Sequence, residues 1–170
     1  RPRPLRDVVF AVTRIVVIAA ALLGFYFWLP YDRASVGESW TTVVGAIILL
    51  VAVNALELRA VANAEAPLLR GIQALVVSVL LVLVTFAALY LSMSGRDAAA
   101  FDEPLDHVDS LYFTLTTLTT VGFGDIAPVS SSARVVVMVQ MVANVVVVGV
   151  FVKLVLSTVR SRASEVTSQE

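Results

Sequence analysis

Residues 116–125 read TTLTTVGFGD. Four threonines fall within five positions and two glycines bracket a phenylalanine, which suits neither a helix nor a strand. Gly122 and Gly124 can take positive φ without steric cost. Alternated with Val121 and Phe123, they can turn successive backbone carbonyls to one side. A column of carbonyls facing an axis replaces the hydration shell of a cation. The Thr120 hydroxyl would add one more oxygen at the column's inner end. The available chemistry is coordination of a bare cation. No nucleophile–base set, phosphate loop or metal cluster accompanies it, so an enzyme is not expected.

Such a backbone must be held by something. The chain has 170 residues, of which 59% are hydrophobic, and a mean hydropathy of +0.92. Soluble domains run nearer about 45–50% apolar. Cysteine is absent and His107 is the single histidine, which excludes disulfides, thiolate sites and a multi-histidine metal site within one chain. A net charge of −1 argues against a nucleic-acid partner. Four segments are long and apolar enough to cross a bilayer as helices: residues 8–29, 40–58, 71–93 and 133–159. Pro30 closes the first, and Pro67 falls in the link before the third. The sequence opens at Arg1 rather than methionine, so the numbering is expected to begin inside a longer chain.

With both termini in the cytoplasm, the inner ends hold Arg1, Arg3, Arg6, Arg14, Arg59, Arg70, Lys153, Arg160 and Arg162. The outer ends hold Arg33, Arg96 and Arg134, and the nine-to-three bias sets the orientation. Trp28, Tyr31 and Trp40 then fall at the outer interface. Between the third and fourth spans, residues 107–118 form an apolar stretch too short to cross. It is expected to be a re-entrant helix with Asp106 as N-cap and Asp109 in its first turn. The glycine-bearing stretch follows it. Non-helical backbone at membrane depth must be buried in protein or line a cavity, and the negative C-terminal end of the short helix would favour a cation there.

The run SLYFTLTTLTTVGFGDIAP resembles the pore loop of tetrameric potassium channels. The resemblance covers the third span, the loop and the fourth span, about half of the chain. It implies a re-entrant pore helix and closure into a homotetramer; with the four apolar spans, the expected fold is an all-α integral membrane one with four transmembrane helices per chain. Two N-terminal helices (1–66) would precede a pore domain (67–162). That domain comprises an outer helix (71–93), a pore helix (107–118), a filter (120–124) and an inner helix (133–159), followed by a cytoplasmic tail (163–170). The resemblance assigns potassium coordination to the carbonyls of Thr120, Val121, Gly122 and Phe123, with Gly124 completing the turn. Support would come from Asp125, Tyr112, Thr116 and Thr119, and the Tyr112 hydroxyl is expected to bond Asp125. Thr116 stands where some relatives carry a glutamate. Phe123 stands where most carry tyrosine, which implies a filter more prone to closing at its outer end.

The implied function is passive, potassium-selective conduction without intrinsic voltage gating, since the first two spans offer only Arg14 as a gating charge. The alternative is a non-selective cation channel on the same scaffold. No cofactor is expected beyond K+ as the permeant ion. The partners would be the lipid bilayer and three further copies, with a cytoplasmic regulatory region beyond Glu170. The relatives' glycine hinge falls on Asn144 here, with Gly149 five residues on. Asn144, Val148, Gly149 and Val152 are the cavity or gate candidates. Gln140 and Asn144 share a helix face, and Asn144 either lines the cavity or bonds a neighbouring helix. Lys153 is expected near the inner interface with Arg14 and Glu57, where a salt bridge could form. Outside, Asp32, Glu38, Asp97, Asp102, Glu103, Asp106, Asp109 and Asp125 face three arginines, a net of −5 that would concentrate cations. His107 sits among these acids as a candidate pH sensor.

Overall fold

The computed structural model describes residues 4–28, 40–62 and 67–167. Arg1, Arg3, Pro30, Tyr31, Asp32, Arg33, Glu38 and residues 168–170 lie outside them, and with them part of the orientation and outer-charge readings. Five helices follow in order: α1 (Pro4–Trp28), α2 (Trp40–Ala62), α3 (Pro67–Arg96), α4 (His107–Leu118) and α5 (Ser131–Thr167). The described residues form no strand; an isolated bridge joins Phe101 and Pro128.

Three stretches are apolar and long enough to cross a membrane: Val9–Trp28, Arg70–Arg96 and Ser131–Val150. In α2 the described apolar run is shorter, Ile47–Glu57. The helices extend beyond the expected spans for local reasons. Pro67 opens α3 rather than breaking it, because an N-terminal helical residue needs no N–H. Ser130 caps α5: its hydroxyl oxygen accepts from the Ala133 N–H at 3.2 Å, so the helix starts two residues earlier than 133. At its other end α5 continues through Thr167, so most of the expected tail is helical.

α3 is the central helix, packing against α1, α2, α4 and α5. Its Val82, Phe86 and Tyr90 form the main core with Phe101, Phe113 of α4, and Ala133, Val136 and Val137 of α5. Three rings meet edge to face: Tyr90–Phe113 at 5.1 Å, Phe101–Phe113 at 5.6 Å and Tyr90–Phe101 at 5.7 Å. Such pairs add about 0.5–1.5 kcal/mol each beyond their burial. A second cluster joins Tyr26 of α1 to Ala87 and Leu91 of α3, with Leu111 of α4 against it. Outside these contacts the stretch of α5 from Val135 to Val152 is apolar, with Met138, Met141, Val142 and Val145 exposed. A helix apolar on every face belongs in lipid or against further protein.

The segments before and after α4 are fastened together. Leu105 N–H donates to the Ser94 hydroxyl at 2.7 Å. Asp102 and Ala127 exchange two bonds, Asp102 N–H to the Ala127 carbonyl at 3.1 Å and Ala127 N–H to Asp102 Oδ1 at 2.8 Å. Val129 N–H reaches the Ala100 carbonyl at 2.9 Å. A short helix and the loop after it are thereby closed into one bracket.

Candidate functional site

α4 covers the twelve residues read from the sequence as a short helix. Its start is a capping box. Asp106 Oδ1 accepts from the N–H groups of Val108 at 2.6 Å and Asp109 at 2.8 Å, and Asp109 Oδ2 accepts from the Asp106 N–H at 3.0 Å. The Asp109 N–H, with the Val108 N–H behind it, holds the Asp106 carboxyl below its usual range. The expected cap is therefore present, and Asp109 contributes a bond as well as a charge.

The other end of α4 organises the loop. Thr119 ends the helix, its N–H donating to the Leu115 carbonyl at 2.9 Å and its hydroxyl to the same oxygen at 2.8 Å. The Thr116 carbonyl accepts from the N–H groups of Val121 at 2.9 Å and Gly122 at 3.2 Å. The Thr116 hydroxyl turns back to the Phe113 carbonyl at 3.0 Å. So the part of Thr116 that touches the loop is its carbonyl, not its side chain.

Beyond this anchor the backbone alternates. Thr120, Gly122 and Gly124 have φ of +60°, +52° and +78°, while Val121 and Phe123 between them do not have positive φ. Glycine positions were readable; a β-branched residue in the left-handed region was not, and it costs roughly 1–3 kcal/mol. Alternating handedness can turn consecutive carbonyls toward one side of a chain. Val121 and Phe123 are 53% and 70% exposed, which leaves large apolar side chains bare on a single chain. Phe123 lies parallel to Tyr112, with ring centroids 6.4 Å apart and planes at 2°. The Tyr112 hydroxyl donates to Asp125 Oδ2 at 2.6 Å. That bond holds the Asp125 carboxyl below its usual range.

Behind α4, α5 contributes two buried amides. Gln140 Nε2 donates to the Thr114 carbonyl at 3.1 Å, and Gln140 Oε1 accepts from the buried Tyr90 hydroxyl of α3. One turn on, Asn144 Nδ2 reaches the Thr117 carbonyl at 3.4 Å. Of the two roles open for Asn144, the structure supplies the interhelical bond. Val148, Gly149 and Val152 are exposed on the single chain. α5 thus bonds the backbone of α4 through two side chains, and Tyr90 of α3 holds one of them from behind.

α1 also reaches α4, a contact not expected from the sequence. The buried Tyr26 hydroxyl donates to the His107 carbonyl at 2.7 Å, and the His107 ring meets Tyr26 at 5.5 Å and Phe27 at 5.9 Å. The available signal was slight: a buried tyrosine hydroxyl needs a partner. Twelve residues earlier on α1, Arg14 Nη2 pairs with Glu57 Oε1 of α2 at 3.5 Å. Lys153 is exposed and forms no ion pair among the described residues.

Residues 78–161 match the family model described as ion channel. Over 68 residues the chain is 34% identical to the calcium-gated potassium channel TvoK of Thermoplasma volcanium, covering 40% of this chain and 20% of that protein. It is 36% identical over 72 residues to two-pore potassium channel 1 of Arabidopsis thaliana, covering 39% and 20%. It is 39% identical over 64 residues to two pore potassium channel b of Oryza sativa subsp. japonica, covering 38% and 18%. The chain thus spans about a fifth of the length of these relatives. No solved structure gives a significant match.

Proposed function

We propose that this integral membrane chain is one subunit of a homotetrameric, potassium-selective channel, because residues 78–161 match an ion channel family model and potassium channels are among the proteins it resembles. The matched family is one of channels and not of enzymes. The observation that carries the reading is the alternation of positive φ at Thr120, Gly122 and Gly124, directly after a capped short helix. In this reading the carbonyls of Thr120, Val121, Gly122 and Phe123 replace the water around K+. Gly124 turns the chain at the outer mouth, and Tyr112, Thr116, Thr119 and Asp125 hold the column from behind. One loop cannot surround an ion, so four copies are required.

α2 crosses the bilayer as the fourth span in this proposal, both termini are cytoplasmic, and the membrane is the plasma membrane. Four copies would also cover Val121, Phe123 and the bare face of α5. α5 lines the inner pathway, with Val148, Gly149 and Val152 below Asn144 as the gate region. Arg14 pairs with Glu57 instead of forming part of an arginine ladder, which supports gating without an intrinsic voltage sensor.

A reversal-potential measurement on purified protein in planar bilayers, under opposed potassium and sodium gradients, tests the reading. The expected reversal lies near the potassium equilibrium potential. A reversal near zero with both ions permeant would replace this reading with a non-selective cation channel.

A further inference from the structure

A cavity of about 340 Å³ lies between α2, α3 and α5, away from the proposed ion path, with Leu50, Glu57, Ala74, Val82, Val147 and Val150 among its walls. Its polar wall groups are engaged elsewhere. Asn54 Nδ2 donates to the Leu50 carbonyl at 2.8 Å, and the Ser78 hydroxyl to the Ala74 carbonyl at 2.7 Å, each within its own helix. Glu57 is turned to Arg14. What remains facing the space is hydrocarbon, so an occupant must be apolar there.

Charge gathers near one end of this cavity. On α2, Arg59 lies two residues beyond Glu57; on α3, Arg70 lies four residues before Ala74; on α5, Lys153 lies three residues beyond Val150. All three are exposed. Helices that cross in alternating directions place these positions at the same end, the cytoplasmic one in the orientation set by the basic residues. Each helix lining the cavity thus carries a cation within about one turn of it. An apolar slot below a triad of cations matches one molecule already present in the surroundings.

We infer that the cavity is a binding site for an anionic phospholipid of the cytoplasmic leaflet. One acyl chain fills the space between α2, α3 and α5, and the phosphate sits at Arg70 and Lys153 with Arg59 beside them. Polybasic positions near the membrane surface attract such headgroups. The site also bears on the ion path. Ala143 lines the cavity, and the next residue, Asn144, holds the Thr117 carbonyl at the end of α4. A lipid lodged there braces α5 where it grips the loop.

The test is native mass spectrometry of the full chain, mixed with phosphatidylglycerol or phosphatidylcholine. It does not depend on potassium selectivity. The expected result is at least ten-fold tighter retention of phosphatidylglycerol. Arg70→Gln combined with Lys153→Gln should weaken that retention about thirty-fold, about five-fold per charge. Val147→Trp fills the slot without changing any charge and should displace both lipids. Assembly is read from the same spectra, and Ala74→Leu is the second filling variant should Val147→Trp fail to assemble. Equal retention of the two lipids, or retention unaffected by the charge or filling variants, overturns the inference. So does a Val150→Cys cross-link between copies that excludes lipid, because a neighbouring chain would then occupy the slot.

Discussion

The bracket formed by residues 94–130 and the flank formed by α1 and α2 are built on opposite principles. In the bracket nearly every turn is fixed by a directional bond: the Asp106–Asp109 box, the Asp102–Ala127 exchange, and the Thr116 carbonyl receiving two loop amides. On the flank, placement rests on apolar surface against α3, with Tyr26–His107 and Arg14–Glu57 as isolated polar ties. Directional bonds fix geometry to tenths of an ångström, whereas apolar contact fixes burial and tolerates sliding. A structure that must present oxygens at set spacing needs the first kind. A helix that braces needs only the second.

The largest effect should therefore come from the backbone of the loop. A Cβ at Gly122 would meet nothing within 4 Å in the chain, so the penalty of Gly122→Ala is conformational. A non-glycine residue in the left-handed region costs roughly 1–2 kcal/mol, and four copies multiply it. Potassium current per assembled channel should fall at least 100-fold, or selectivity over sodium should be lost, in single-channel recordings. Wild-type conduction and selectivity from this variant would show that the alternation of φ is not what coordinates the ion.

The same contrast explains what the sequence discloses. The short helix was legible to the residue because aspartates at its start and threonines at its end are polar signals with fixed geometry. The start of α5 was displaced by two residues because Ser130, Ser131 and Ser132 are chemically equal candidates for one cap. Thr120 gave no warning of its positive φ, since threonine has no left-handed preference; only the Thr116 anchor and the glycines beyond it impose it. The contact of α1 with α4 was illegible because an apolar helix offers many equivalent faces. Nothing in the spacing of its valines and leucines selects the one that brings Tyr26 to His107.

Next in size is the amide network that ties α5 to the bracket. Gln140→Leu keeps the volume approximately but leaves the Tyr90 hydroxyl without its acceptor and removes a donor to the Thr114 carbonyl, both buried. Each stranded polar group costs about 1–3 kcal/mol. Thermal unfolding in detergent should occur several degrees lower, and the double variant with Tyr90→Phe should recover part of the loss, because it removes the stranded hydroxyl. If the losses of the two single variants simply add in the double variant, the hydroxyl and amide are not partners.

A smaller, pH-dependent effect belongs to Tyr112. Its hydroxyl keeps the Asp125 carboxyl below the usual carboxylate range. A depressed carboxyl contributes stability that is present above its unfolded value and is lost as pH falls through its folded value. Tyr112→Phe removes the bond, so Asp125 should take up its proton at higher pH than in the wild type. Channel activity measured against outer pH should then begin to fall earlier on acidification, with the two curves converging at neutral pH. An unshifted profile would mean that this hydrogen bond does not hold the outer end of the loop.

The smallest effect is expected on the flank. The Arg14–Glu57 pair is partly exposed, at 37% and 22%, and a pair of that kind is worth about 0–1 kcal/mol. A double-mutant cycle on Arg14→Gln and Glu57→Gln, read by thermal unfolding, should give a coupling of that size and leave unitary conductance and selectivity unchanged. A flank that only braces can lose a tie without moving an oxygen in the loop. If either single change alters selectivity, the flank must transmit force to α4. The Tyr26–His107 bond ties α1 to α4 and is able to carry it, so Tyr26→Phe should then reproduce the change.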